Sequence, residues 1–304
     1  MREPLVVRGD QGLPYSKWLM AQSLSASGVT VERAYELARL IEGRLAELPG
    51  GQIPVAGLRD LAERLLEGEE GAGAVRRFRA WQRLDRLDRP LIVLIAGTAG
   101  VGKSTLATLL ANRLGLTRVI PTDAIRQILR ACFSTDFMPA VHYSSFEAGR
   151  AVELRTAAGD DGDLVGFARQ AESVGTGVGA IVDRAVHEAT GMIVEGVHLV
   201  PGMFGARLSD RCVVVEALLI VDDEERHRAN FSMRQRPAHR YLDRFEQIRK
   251  LQSYLVGRAE AEGVPILHNE LLDDLLSQAL ELVVETVSRD SGGGTDPTDG
   301  KPGP

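Results

Sequence analysis

Residues 97–104 read Gly-Thr-Ala-Gly-Val-Gly-Lys-Ser, a set of residue types that can wrap and neutralise a chain of phosphates. Gly97, Gly100 and Gly102 carry no Cβ, so the backbone can turn sharply and approach an anion closely. Thr98, Ala99 and Val101 complete the loop, and its amides, with those of the helix that follows, would face the phosphates. Lys103 would reach the outer phosphates, Ser104 would help hold Mg²⁺, and Thr105 closes the phosphate-binding stretch.

Such a loop works only between a strand and a helix. Leu91-Ile92-Val93-Leu94-Ile95-Ala96 precedes it, a continuous apolar run expected of a buried parallel strand. Leu106, Leu109, Leu110 and Leu114 follow at helical spacing. Further strands are expected at 119–120, 192–194, 212–221 and 264–267, alternating with helices at 124–130, 146–154, 164–189, 224–233, 241–262 and 270–287. In the helix at 241–262, Tyr241, Phe245, Ile248, Leu251, Leu255 and Ala259 trace one face. This alternation predicts an α/β fold of P-loop NTPase type, a parallel sheet with helices on both faces, joined to a small, mostly helical N-terminal domain.

In open parallel sheets, ligands sit beyond the carboxyl ends of the strands. The strand at 119–120 ends in Thr122, Asp123 and Arg126, and the strand at 192–194 ends in Glu195, Gly196 and His198. Asp123 is a candidate for the Mg²⁺ shell or for accepting a proton from a hydroxyl, and equally for a helix N-cap. Glu195 is a candidate for orienting a metal or water, and either Glu195 or Asp123 for orienting an acceptor hydroxyl in catalysis. Thr122, Arg126 and His198 are candidate substrate contacts, His198 being as fitting as a structural histidine. A second cluster lies at 226–249, rich in arginine and broken by Arg236-Pro237. Arg228, Arg234 and Arg236 suit a lid whose guanidinium forks clamp phosphate, with Arg234 stabilising charge during transfer. Arg244 and Arg249 read instead as solvated helix-face charges paired with Asp243 and Glu246.

The expected layout is a module at 1–48, a helical linker at 49–89, the phosphate-loop domain at 90–287 and a disordered tail at 288–304. In the module, Thr30 should cap a helix over 31–48, and in the linker the glycines of 68–73 should separate two helices. The 304 residues, 44% of them apolar, suffice for a large core. A net charge of −6 offers no global attraction to nucleic acid or an anionic membrane. Two cysteines, Cys132 and Cys212, suggest reduced thiols, and no leader or membrane span is visible, so a cytoplasmic location is expected. Self-association is left open.

Several segments together resemble the 2-phosphoglycerate kinases: Ile95-Ala-Gly-Thr-Ala-Gly-Val-Gly-Lys-Ser-Thr105, Val119-Ile-Pro-Thr-Asp-Ala-Ile-Arg126, Ser144-Ser145-Phe146, Glu195-Gly-Val-His-Leu-Val-Pro-Gly202, His227-Arg-Ala-Asn-Phe-Ser-Met-Arg234 and Tyr241-Leu-Asp-Arg-Phe-Glu-Gln-Ile-Arg249. The resemblance covers about residues 90–270. Within 5–48, Val7-Arg-Gly-Asp10, Pro14-Tyr-Ser-Lys17 and Gly28-Val29 resemble an ATP-cone, a small nucleotide-binding regulatory module. The resemblance implies transfer of a phosphoryl group from ATP, with Mg²⁺, to the C3 hydroxyl of 2-phosphoglycerate, giving 2,3-bisphosphoglycerate. The acceptor is then a small anionic phosphate ester, which the arginines would bind despite the acidic whole. A kinase of another phosphorylated or hydroxylated acid and a nucleotide-sensing regulatory protein are the alternatives. A kinase needs acceptor-binding arginines beside the loop, whereas a sensor needs only a nucleotide-dependent switch.

Overall fold

The computed structural model describes residues 4–8, 11–84, 87–152, 161–232 and 239–291. The described residues up to 87 form one compact unit with residues 283–291, and the described residues of 88–282 form another.

In the first unit, β1 (Leu5–Arg8) pairs antiparallel with β2 (Gln11–Pro14). Helices α1 (Lys17–Ala26) and α2 (Val31–Ala46) follow, each started by a hydroxyl cap: Ser16 accepts from the Leu19 amide, and Thr30 from the Arg33 amide. The expected linker is part of this unit. β3 (Gln52–Pro54) pairs parallel with β1 to complete a sheet ordered β2-β1-β3. α3 (Val55–Leu84) is two helices joined at Gly71, whose φ of 81° interrupts the helix where the glycine cluster predicted a break. Leu58, Ala62, Leu66, Ala74, Val75 and Phe78 of α3 are buried with Leu37 and Ile41 of α2. Residues 58, 62 and 66 form an apolar stripe one turn apart, and such a stripe has to be covered.

The second unit is a five-stranded, wholly parallel sheet ordered β5-β6-β4-β7-β8: β4 (Leu91–Ala96), β5 (Val119–Pro121), β6 (Met192–Gly196), β7 (Val213–Ile220) and β8 (Ile266–His268). The strand expected from the apolar run before the loop is β4, at the centre and buried along its whole length. Ile92, Leu94 and Ala96 share a core with Phe167, Val174, Val178 and Val182 of the long helix α6 (Gly162–His187). Each of the larger side chains among them contributes about 1.5–3 kcal/mol on burial.

The remaining elements position the site. α4 (Lys103–Leu114) follows the loop and α5 (Thr122–Cys132) follows β5. Two 3₁₀ turns follow, Pro139–His142 and Ser145–Ala151, and the second occupies part of the expected helix at 146–154, of which 153 and 154 lie outside the described residues. After α7 (Gly205–Leu208) and β7 comes α8 (Glu224–Ser232). The single helix expected over 241–262 is two, α9 (His239–Leu242) and α10 (Phe245–Glu262), because Arg244 leaves the helical region with φ −119° and ψ 22°. Phe245, Ile248, Leu251, Leu255 and Ala259 form the buried face of α10 as their spacing required. α11 (Leu272–Ser291) runs past the expected helix end at 287, and the rest of the tail lies outside the described residues.

Candidate active site

The loop at 97–104 joins the central strand to α4, whose first-turn amides have no side-chain cap. Those orphan donors, at the positive end of the helix, are what an anion would engage. Gly102, at φ 96°, starts the helix from the left-handed region. Gly100, at φ 84°, lies so close to Phe231 that an added Cβ would sit 2.5 Å from the Phe231 ring.

Four consecutive carbonyls of the loop are each taken by a side chain. Lys103 Nζ donates to Thr98 O at 2.7 Å, and His227 Nε2 to Ala99 O at 2.8 Å. Asn230 Nδ2 donates to Gly100 O at 2.9 Å, and Asn269 Nδ2 to Val101 O at 2.8 Å. Holding these carbonyls fixes the peptide planes and leaves the amides aimed into the cradle. His227, Asn230 and Asn269 went unassigned in the sequence, although the first two sit in the segment His227 to Arg234 that carries the family resemblance. Burial lowers the His227 pKa, so this ring is a neutral donor.

Beside the loop, Ser104 Oγ donates to Glu195 Oε1 at 2.7 Å. Glu195 is brought there by sheet register, paired with Ile95 of β4 on one side and Pro121 of β5 on the other, and it is buried. A hydroxyl and a carboxylate on adjacent elements are hard oxygen donors, the chemistry that suits Mg²⁺. Asp123 lies at the start of α5 with its side chain 72% exposed, and Arg126 Nε donates to its Oδ1 at 3.2 Å. The other end of Arg126 is committed to the backbone: Nη1 donates to Val141 O at 3.1 Å and to Tyr143 O at 3.0 Å.

Thr122 and His198 are brought together beneath this site, both fully buried. Gln170, in the middle of α6, completes a polar chain that sequence reasoning missed. Its Nε2 donates to Ala140 O at 2.6 Å and Tyr143 O at 3.0 Å, which leaves Oε1 as an acceptor for His198 Nε2 at 3.1 Å. His198 must then carry its proton on Nε2, and Nδ1 accepts from Thr122 Oγ1 at 2.8 Å. The hydroxyl of Thr122 and both nitrogens of His198 are thereby turned inward, toward each other and Gln170.

Burial pulls the His198 pKa down to about 4, with Arg126 and Lys103 adding to the effect and Asp123 opposing it. A histidine lowered from 6.5 on folding binds its proton in the unfolded chain first. Its stabilisation is complete above pH 6.5 and is lost as pH falls towards 4. His227 acts with the same sign. Urea unfolding of wild type and His198→Asn between pH 4.5 and 7.5 should show a shallower loss of stability in the variant. Parallel curves would mean that His198 is not held neutral.

The arginine-rich segment divides. Arg234 and Arg236 lie outside the described residues. Arg228 is exposed on α8 and lies over the Phe245 ring, 3.9 Å from its centroid. Arg249 donates to Val221 O at 2.7 Å and Asp222 O at 3.0 Å, bracing the end of β7, and its ion pair is to Glu224 rather than Asp243 or Glu246. Arg244, also expected to pair with Asp243 or Glu246, points to Glu147 at 3.7 Å instead, because the break before α10 turns it towards the 3₁₀ turn. A cavity of about 290 Å³ opens beside the loop between the ends of β7 and β8, lined by Val221, Asp222, Arg226, Asn269 and Glu270. Cys132 and Cys212 are free thiols, and no described helix is long and apolar enough to cross a membrane.

A parallel sheet with its phosphate loop on the central strand, a serine–carboxylate pair beside it and an exposed carboxylate at the start of the helix that follows β5 define a P-loop kinase, a phosphotransferase. The chain is 35% identical over 277 residues to the 2-phosphoglycerate kinase of Methanopyrus kandleri, covering 89% of this chain and 84% of that protein. It is 36% identical over 293 residues to the 2-phosphoglycerate kinase of Methanococcus maripaludis strain C6, covering 93% of each, and 32% identical over 286 residues to that of Pyrococcus horikoshii, covering 92% and 93%. It belongs to the 2-phosphoglycerate kinase family. At 92–93% coverage the likeness extends well beyond residues 90–270. No family model matches. Among solved structures it is similar to shikimate kinase from Acinetobacter baumannii, at 16% identity and a TM-score of 0.40 over 68% of this chain and 97% of that one. A gluconokinase from Sinorhizobium meliloti gives 13% and 0.41 over 68% and 98%.

Proposed function

We propose that this kinase transfers the γ-phosphoryl group of ATP to 2-phosphoglycerate, giving ADP and 2,3-bisphosphoglycerate. The observation that carries the reading is the exposed carboxylate of Asp123 one strand away from the Ser104–Glu195 pair, which gives the nucleotide loop an acceptor side. The family's name supplies the acceptor.

The loop amides and Lys103 hold the triphosphate, and the cavity beside Asn269 receives the nucleobase. Ser104 and Glu195 would hold Mg²⁺, and Asp123 could add an oxygen donor to it. The metal, when bound, offsets charge on the phosphates. Asp123 orients the acceptor's C3 hydroxyl. As that oxygen bonds to the γ-phosphorus, the bond to the ADP oxygen breaks and Asp123 takes the hydroxyl proton. Arg126 holds Asp123 in place, and Thr122, His198 and Gln170 anchor the wall behind it. These residues act by positioning, since their polar atoms are spent on one another and on backbone. The exposed guanidinium of Arg228 supplies positive charge on the loop's α8 side.

The test is ADP release with and without 2-phosphoglycerate, with the product identified by phosphorus NMR. Stimulation with appearance of a bisphosphate is expected. Stimulation by a different phosphorylated acid, and none by 2-phosphoglycerate, would overturn the acceptor while leaving the phosphotransferase. Failure of every phosphorylated acid would leave the nucleotide-sensing reading standing.

A further inference from the structure

We infer that Arg150, Arg240 and Arg244 form the subsite for the phosphate already present on the acceptor, and that Glu147 occupies it as an internal stand-in anion. This rests on the reading of the chain as a kinase of a phosphorylated acid.

The three arginines come from different places: Arg150 from the 3₁₀ turn Ser145–Ala151, Arg240 from α9 and Arg244 from the residue before α10. Among the described residues, the ion pairs of all three converge on the Glu147 carboxylate, at 3.8, 3.4 and 3.7 Å. Charge-assisted hydrogen bonds at their best are near 2.8 Å, and a committed arginine–carboxylate pair is often bidentate. These contacts are long and single. One negative charge is therefore shared loosely among three positive ones. The neighbouring carboxylates Asp161 and Asp163 do not relieve this excess, because Lys250 takes both, at 2.6 and 3.1 Å. Glu147 is largely buried, with its side chain 16% exposed, whereas the arginines are 45–57% exposed and accessible to a ligand.

A phosphate monoester fits this arrangement better than the carboxylate does. It carries close to two negative charges and three acceptor oxygens, enough to give each guanidinium its own short bond. Ser144 adds a donor: its Oγ accepts from Arg240 Nη2 at 2.5 Å, which leaves the hydroxyl proton for an anion oxygen.

The cluster also stands in the right place. Tyr143, whose carbonyl Arg126 and Gln170 hold, immediately precedes Ser144, so the subsite continues the backbone segment latched to the Asp123 side. On its other flank Tyr241 follows Arg240 and stacks on Phe231 at 5.1 Å, and Phe231 lies against Gly100 of the phosphate loop. The cluster is thus tied to both halves of the transfer site. A neutral hydroxy compound would leave the excess charge unmatched, which selects phosphorylated acceptors.

The test is acceptor kinetics of Arg240→Gln, Arg244→Gln and Glu147→Gln at saturating ATP. Each arginine change should raise the KM for 2-phosphoglycerate about tenfold or more, with kcat and the KM for ATP changed less than about twofold. Glu147→Gln should lower that KM about threefold, because a competing anion is removed. A bracing role predicts the reverse sign for Glu147→Gln, so a raised acceptor KM there overturns the inference, as does an unchanged KM in both arginine variants. A second measurement separates this failure from failure of the kinase reading. Wild type and the two arginine variants, with a non-hydrolysable ATP analogue filling the loop, are titrated calorimetrically with inorganic phosphate. Binding lost in the variants supports the subsite even without turnover. Equal binding in all three, or none in wild type, overturns it.

Discussion

Replacing Lys103 with alanine is expected to lower kcat about 10²–10³-fold, the loss usual when one preorganised donor to the developing phosphate charge is removed. The fold should not change, and the reason is local. Lys103 is the first residue of α4, where a cation opposes the positive end of the helix by about 0.3–1 kcal/mol. Its hydrogen bond to Thr98 O at 2.7 Å is worth about 0.5–1.5 kcal/mol net. These two terms are small and of opposite sign, so urea midpoints of wild type and variant should lie close together while ADP production collapses. Lys103→Arg tests geometry separately from charge: the guanidinium keeps the positive charge but is too broad for a point contact within the loop, so it should rescue little. Wild-type turnover in Lys103→Ala would refute the assignment of the loop as the phosphoryl site.

What the sequence made legible is what neighbouring residues decide. The apolar run 91–96, the glycine spacing and the helical leucines all lie within a few residues of one another, so strand, loop and helix could be placed directly. Glu195 and Asp123 could be singled out as candidates because the carboxyl end of a parallel strand is a fixed address, and sheet register puts Glu195 within hydrogen-bond reach of Ser104. The residues that were missed act across the sheet. Gln170 sits on the buried face of α6 between Phe167 and Val174, and an amide at such a position has to find partners. That signal was present, but its partners, at 140, 143 and 198, follow from tertiary structure alone. The same holds for Asn269, 168 positions from its partner Val101, and for Arg244, whose neighbours in sequence suggested the wrong carboxylate. The first unit was under-read for a different reason. Residues 52–54 are too few to announce a strand, and their pairing with β1 is long-range.

Phe231→Ala should be the most destabilising single change near the site, costing about 3–5 kcal/mol, because a fully buried aromatic leaves a cavity that rigid neighbours cannot fill. Those neighbours are rings: His227 at 5.4 Å, Tyr241 at 5.1 Å and Phe245 at 6.4 Å between centroids. The change should also reach the nucleotide. His227 is stacked on Phe231 and donates to Ala99 O, while Asn230, on the same helix, donates to Gly100 O. With Phe231 gone, α8 loses the surface that seats it on the loop, and the KM for ATP should rise along with the loss of stability. Gly100→Ala probes the same contact from the opposite side. It carries two penalties, about 1–2 kcal/mol for placing alanine at φ 84° and a steric one for a Cβ 2.5 Å from the Phe231 ring. In the double variant only the clash with the Phe231 ring disappears, while the 3.0 Å approach to His227 Nε2 and the backbone penalty remain. The double mutant should therefore be more stable than the sum of the two single losses predicts, by the size of the relieved clash, as read from urea unfolding. Simple additivity would show that α8 and the phosphate loop are not packed as one body, and an unchanged KM for ATP in Phe231→Ala would show that the loop keeps its shape without help from that helix.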